Sequence, residues 1–542
     1  MKESRPSPPS PLSLRRERRS PALVLATPPA AWPIHRWGIL LQAATLGPIA
    51  VAYLGFTLVV RGAHGFSGDE PHYLAFTQGL WLYHTVDQHG VLYHHDFFAY
   101  YPHLMSSHAV HRGDHLYPLH YPGLPLVLLP GFALGGAAGA QVTTALIGVL
   151  VCWRAFHVAA RMAGRIAAAL VVGVLGLSAP FVLNAGAIYP DLLSGLLLVL
   201  GYEALDAPRL TMRRSVALGL VLAVCPWVHV KLLAVVAVYV AWAACMLWRG
   251  AQDRFPSSLR GRMQSYHLVG RAARLTLTGR RGARRAAPFS RAQGRGILHT
   301  PPGVRVALLA LGLPLISVAG LMGYNLALYG SPSPAAPYEG PTLLTGNPVA
   351  GIVGQLFAQG QGALGTAPFA LLAVPGAVAL WRRDRTAALK IGLATVPFWL
   401  VTLTYRIWWG GDAPPLRFLL PLLPLWATGI AALLAGLRTA AARLTVSVFA
   451  AATLALTIAI PAAPRLGWPL PAGRGGLLLA LGEYVGLPLG AWLPAFEPTR
   501  TGPGLWHHAP LIALWAAVLL VAWALLAHGE RRERMIPSKR HP

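Results

Sequence analysis

Acidic residues are scarce in this chain, 18 of 542, and two of them stand side by side in Phe66-Ser67-Gly68-Asp69-Glu70-Pro71-His72-Tyr73, directly after the first long apolar run. A carboxylate pair at such a place can hold a cation, take a proton from a reacting hydroxyl, or cap a helix. Asp followed by Glu-Pro is a sound helix start, with Pro in the first turn. Capping alone leaves unexplained the polar loop that follows, which carries ten histidines from His72 to His120. Their spacing matches no HExxH or comparable pattern, so no metal ligands are assigned, although a divalent cation such as Mg or Mn is compatible with the acid pair. Further along come Asp191 after Tyr189-Pro190, His229 and Lys231 in Pro226-Trp227-Val228-His229-Val230-Lys231, Arg406 beside Tyr405, and Arg417. A charge in hydrocarbon costs about 2.5–3.5 kcal/mol even on the lenient insertion scale. These cations therefore need a reason, which is either an anion such as a phosphate or simple snorkelling to the headgroups.

The elements that must position these residues are membrane helices. With 55% hydrophobic and 12% charged residues and a mean hydropathy of +0.51, the chain is too apolar for a soluble globule. The net charge of +27 invites a nucleic-acid reading, yet twelve arginines against one acid fall between Arg249 and Arg295, beside an apolar run and without the aromatic interleaving suited to stacking bases. That is the distribution of cytoplasmic flanks under the positive-inside rule, and it argues for membrane lipid and against nucleic acid as the partner. Cys152, Cys225 and Cys245 lie in or beside apolar runs and offer no disulfide framework.

The expected organisation is a disordered basic tail at 1–37 and a core at 38–437 that includes an outer loop at 61–120 and an Arg-rich cytoplasmic loop at 249–304. A C-terminal membrane region follows at 438–528, with an outer loop at 462–509, and then a tail at 529–542. Residues 38–60 read as an uncleaved first span. The apolar stretch after Tyr121-Pro122-Gly123 reads as a half-buried helix, because a crossing there would turn Arg154, Arg161 and Arg165 outward. The second span is then 139–158, and about 12 spans follow in all, with both termini inside.

On that register the acids, the histidine loop and the isolated cations collect on the outer face. The motifs Gly68-Asp69-Glu70-Pro71-His72-Tyr73-Leu74, His120-Tyr121-Pro122-Gly123-Leu124-Pro125-Leu126, Tyr189-Pro190-Asp191, Pro226-Trp227-Val228-His229, Tyr324-Asn325-Leu326-Ala327-Leu328-Tyr329-Gly330-Ser331-Pro332 and Trp409-Gly410-Gly411-Asp412 through Arg417 together resemble bacterial GT-C membrane glycosyltransferases. The relatives in view are polyprenyl-phosphate-sugar enzymes similar to protein O-mannosyltransferases and lipid A aminoarabinose transferases. The resemblance implies an all-α polytopic GT-C-like bundle in a bacterial inner membrane with its site on the outer, periplasmic face. It implies an inverting hexosyl or pentosyl transfer from a polyprenyl-phosphate sugar to a lipid, glycan or protein acceptor. Catalytic Asp69 and Glu70 would be assisted by His72, Tyr73, Asp191, His229, Lys231, Arg406 and Arg417 as substrate-binding residues. The rival class is a transporter or flippase for a lipid-linked or anionic solute, which calls for ionisable residues near span midpoints; here the span middles are nearly bare.

Overall fold

The computed structural model describes residues 32–60, 65–252, 302–338, 344–462, 467–468, 470, 473–495 and 504–531. The basic tail through residue 31 and most of the Arg-rich loop lie outside the described residues. The chain divides into two units, Met1–Leu40 and Leu41–Pro542, and the second carries everything that follows.

It is an all-α polytopic membrane protein. Among the described residues, seven helices are long and apolar enough to cross a membrane, or eight if the pair Arg165–Gly176 and Ala179–Ala185, bent by 65°, counts as one span. The expected figure of about 12 is higher because apolarity marks segments but does not show where they break or how short they are. The segments expected at 191–205, 214–227 and 416–437 are helices, Asp191–Leu205, Met212–Val228 and Leu423–Ala435, of 15, 17 and 13 residues. The segment at 366–381 is a 3-10 turn, Pro368–Leu372, running into the 11-residue helix Ala373–Arg383.

Five helices and one hairpin frame the site: α1 (Glu70–Leu82), β1 (Ala109–Arg112), β2 (His115–Pro118), α2 (Gly123–Ala163), α3 (Asp191–Leu205), α4 (Met212–Val228) and α5 (Leu233–Gln252). α2 is two helices folded back at Gly135 (φ −149°) and Gly136 (φ 57°). A side chain on Gly131 would meet the Gly139 carbonyl and the Thr143 hydroxyl, and one on Gly139 would meet the Gly131 carbonyl, so the two arms touch through bare backbone. The half-buried helix and second span read from the sequence are therefore the two arms of one hairpin. α3 is apolar on every face apart from its ends and is buried almost throughout, as a helix hydrophobic all round must be. Its ends are polar: Asp191 is its first residue, while near its last turn Glu203 takes Arg154 and Arg161, and Asp206 takes Lys390 at 2.8 Å.

The outer loop is ordered by its own small framework. β1 and β2 pair antiparallel with Ala109 opposite Pro118, closed by Gly113 at φ 62° and Asp114, the arrangement of a type II′ turn. The Tyr324–Pro332 segment holds this hairpin. Tyr329 donates its hydroxyl to the Pro118 carbonyl at 2.8 Å, Arg112 donates to the Ala327 carbonyl at 2.8 Å, and Asn325 donates to the Tyr121 hydroxyl at 3.0 Å.

Because the arms of α2 pack backbone to backbone, Gly139→Ala is expected to destabilise by about 1–3 kcal/mol through overpacking. Gly47→Ala, where a side chain meets nothing within 4 Å, serves as the control and should leave the melting temperature in detergent unchanged.

Candidate active site

The site is built around Arg417. Its Nε donates to Asp191 Oδ2 at 2.8 Å, Nη1 and Nη2 both reach Asp69 Oδ2 at 3.3 Å, and Nη1 also donates to the Gly410 carbonyl at 2.9 Å. Four of its five N–H groups are thus used, and the guanidinium lies over the Tyr189 ring at 4.2 Å. Arg417 is 6% exposed and Asp191 3%. A buried guanidinium is tolerable only when paired and hydrogen-bonded in this way.

Local sequence explains each partner. Gly68 adopts φ 56° where a side chain would stand 2.5 Å from both the Asp412 carbonyl and the Tyr189 hydroxyl, so only glycine fits. Asp69 follows at the N-cap of α1 with no side-chain capping bond, which leaves its carboxylate for Arg417. Glu70 is fully buried and accepts from the amides of Ser67 at 3.0 Å and Ile188 at 2.9 Å. Both of its oxygens are thus committed to backbone, and it does not line the cavity described below. Tyr189 donates to the Ser67 and Asp412 carbonyls at 3.1 and 2.8 Å, and Asp191 begins α3 where the helix dipole favours an acid. Asp191 also proves to be a support for Arg417 rather than a lining residue of the cavity. On the other side, Gly410 (φ 92°) and Leu416 (φ 60°) bend the chain around the arginine.

A cavity of about 200 Å³ opens beside this ion cluster, lined by Asp69, Tyr73, His229, Lys231 and Arg417 among the residues singled out from sequence. Lys231 Nζ sits over the rings of Phe418 at 3.6 Å and Tyr405 at 4.8 Å, and no described carboxylate lies within salt-bridge distance of it. His229, extended between α4 and α5, accepts the Lys231 amide at its Nδ1, 3.2 Å away, which points Nε2 as the donor when the ring is neutral. Arg406 is not brought in: it is exposed and does not line the cavity, although its neighbours Tyr405 and Ile407 do. His72 stands one layer back, stacked on His108 at 3.9 Å.

Two residues passed over in the sequence belong here. His108 and His120 both line the cavity, with His120 Nε2 3.9 Å from Asp69 Oδ1 and its ring stacked on Tyr73 at 4.1 Å. They are twelve positions apart, and the β1–β2 hairpin brings them together, with the Leu119 amide donating to the His108 carbonyl at 3.0 Å. The Gly113-Asp114 turn was the available signal. A larger cavity of about 510 Å³ is lined by Arg165, Arg443 and Ser447 amid otherwise apolar residues; it brings no acid or imidazole together.

No family model and no curated protein matches the chain. Solved structures do. ArnT from Cupriavidus metallidurans in the apo state is 16% identical, with a TM-score of 0.45 over 92% of this chain and 78% of that one. The same protein bound to undecaprenyl phosphate gives 15% identity and 0.43 over 91% and 77%. The archaeal oligosaccharyltransferase AglB from Archaeoglobus fulgidus, in complex with an inhibitory peptide and a dolichol-phosphate, gives 12% and 0.37 over 92% and 56%.

The donors present do not suit Mg. Asp191 is taken by Arg417 and Glu70 by backbone amides, so the several oxygens that a hard cation needs are not assembled. Among the described residues, the group whose donor atoms lie close enough together to hold an ion is one carboxylate oxygen with two imidazoles, from Asp69, His108 and His120.

Burial would raise the Asp69 carboxyl, but His120 and Arg417, with His108 and His72, outweigh it and hold it below the ordinary carboxylate value. Burial, reinforced by the neighbouring imidazoles, pushes His120 down to about 4 and His72 down to about 3. The unfolded chain therefore binds protons on these two histidines at pH values where the folded chain does not, and stability falls as the pH drops below the ordinary histidine value of 6.5. The part due to Asp69 is lost at lower pH still, as the pH falls through its depressed value. The melting temperature is expected to drop progressively between about pH 6.5 and 4, and more shallowly in His72→Gln.

Proposed function

We propose that the protein is a membrane glycosyltransferase that moves a sugar from a polyprenyl-phosphate donor to an acceptor hydroxyl on the outer face of the membrane, with inversion at the anomeric carbon. The observation that carries this reading is the meeting, in one cavity, of a carboxylate held ready by an arginine and a lysine with no carboxylate partner among the described residues.

Asp69 Oδ1 takes the proton of the acceptor hydroxyl as that oxygen attacks the anomeric carbon. The bond between that carbon and the phosphate oxygen breaks, and the polyprenyl phosphate leaves with the electron pair. Arg417 holds the other carboxylate oxygen, so Asp69 stays ionised and aimed. A carboxyl held this low is a weak base and accepts the proton late, once departure of the phosphate is well advanced.

The charge of Arg417 is already balanced by two acids, which leaves Lys231 as the cation for the leaving phosphate, with His229 Nε2 as a further donor. Preorganised charge of this kind is usually the largest single catalytic contribution. The cavity, at about 200 Å³, is below the usual size for a drug-like ligand and suits a headgroup whose hydrocarbon tail stays outside. A transporter of lipid-linked solutes is the other reading, and the assay below separates the two.

Membranes carrying wild-type protein, Asp69→Asn or Lys231→Met at matched expression are to be supplied with a panel of radiolabelled polyprenyl-phosphate sugars. Transfer is expected to fall about 10²–10⁴-fold in Asp69→Asn. Lys231→Met should lose transfer of the same donor. Equal transfer in all three membranes overturns the assignment of the base, and donor translocation without transfer establishes the transporter instead.

A further inference from the structure

His120 Nε2 is a buried polar atom with no hydrogen-bond partner, on a side chain 10% exposed. Such an atom costs about 1–3 kcal/mol unless something outside the protein chain satisfies it. It faces Asp69 Oδ1 at 3.9 Å, too far for a hydrogen bond and at a spacing that an ion could bridge. Donor atoms of Asp69, His108 and His120 all lie within 4.8 Å of one another.

We propose that Asp69, His108 and His120 bind one borderline transition-metal ion of the zinc class. One carboxylate oxygen and two imidazole nitrogens are the donor set such ions prefer. Ligands at about 2.0–2.2 Å from a tetrahedral centre stand roughly 3.3 Å apart, so the three donors close by about 1 Å or a little more to take the ion. The fourth position opens on the cavity.

The surroundings are those of an oriented site. His72 stacks on His108 with ring planes 13° apart, Tyr73 stacks on His120, and the Leu119 amide fixes the His108 backbone. Arg417 occupies Asp69 Oδ2 and leaves Oδ1 to the ion, which makes Asp69 a one-oxygen ligand. The inference concerns binding alone and does not depend on sugar transfer. If Asp69 Oδ1 is also the proton acceptor, the ion and the acceptor proton compete for the same oxygen.

The test uses purified full-length protein in detergent, stripped with a chelator and titrated with Co²⁺ as a visible probe and with Zn²⁺ by calorimetry. One equivalent of Co²⁺ should bind with the visible absorption of a low-coordinate nitrogen and oxygen site and be displaced by Zn²⁺, while Mg²⁺ at equal concentration gives no heat. His108→Ala, a loop variant that leaves the buried ring in place, and Asp69→Asn should each weaken binding more than about tenfold, the lower range seen for loss of even an outer supporting group. The exposed-loop double variant His94→Ala/His95→Ala should bind as wild type does. Absence of a stoichiometric site, or affinity unchanged in both His108→Ala and Asp69→Asn, or affinity lost only in the His94/His95 variant, overturns the proposal.

Discussion

A buried guanidinium has few ways to survive, and Arg417 uses nearly all of them. Two carboxylates from distant parts of the chain, a backbone carbonyl and an aromatic face enclose it, and each partner has dictated its own local backbone. The start of α1, the start of α3 and the glycine-rich turn before Arg417 must therefore meet at one point. Removing Arg417 leaves the buried Asp191 carboxylate without its ion pair, whereas replacing the whole cluster with apolar residues need not destabilise. The cluster is consequently better understood as fixing a unique arrangement of three segments than as a source of stability.

That arrangement divides the two cations of the site. Arg417 is electrostatically neutralised and acts as a rigid clamp on Asp69. Lys231 lies against the rings of Phe418 and Tyr405, with no described carboxylate within salt-bridge distance. A lysine among ring faces is attracted without being paired, and an incoming anion can take it without breaking an existing ion pair.

Much of this was legible in the sequence and some was not. Scarcity drew attention to Asp69 and Glu70, and the cost of a charge beside hydrocarbon drew it to Lys231 and Arg417. Pairing is what sequence cannot show: Asp69 and Arg417 are 348 positions apart, and nothing local to either announces the other. Glu70 and Arg406 stand apart from the cavity for one reason, that neighbours in sequence need not face the same way. Glu70 turns back to the backbone beside an acid that faces the cavity, and Arg406 turns outward between two residues that line it. His108 and His120 were lost among ten histidines because only a hairpin's register singles them out. The helical segments were visible as apolar runs, while the break at Gly135-Gly136 and the short lengths of α3 and α4 depend on packing that apolarity does not encode.

The length of α3 has a bearing on depth. Its 15 residues rise only about 22 Å at 1.5 Å per residue, against roughly 30 Å of hydrocarbon in an ordinary bilayer. Polar clusters stand at both of its ends, Asp191 with Arg417 at one and Glu203 with Arg154 at the other. Both cannot lie at the level of the surrounding headgroups, so at least one is sunk below that plane and shielded from lipid by the helices around α3. A cavity placed at such a depth would meet a long-chain lipid along its flank, where the first units of the hydrocarbon join the headgroup, without lifting the tail out of the bilayer.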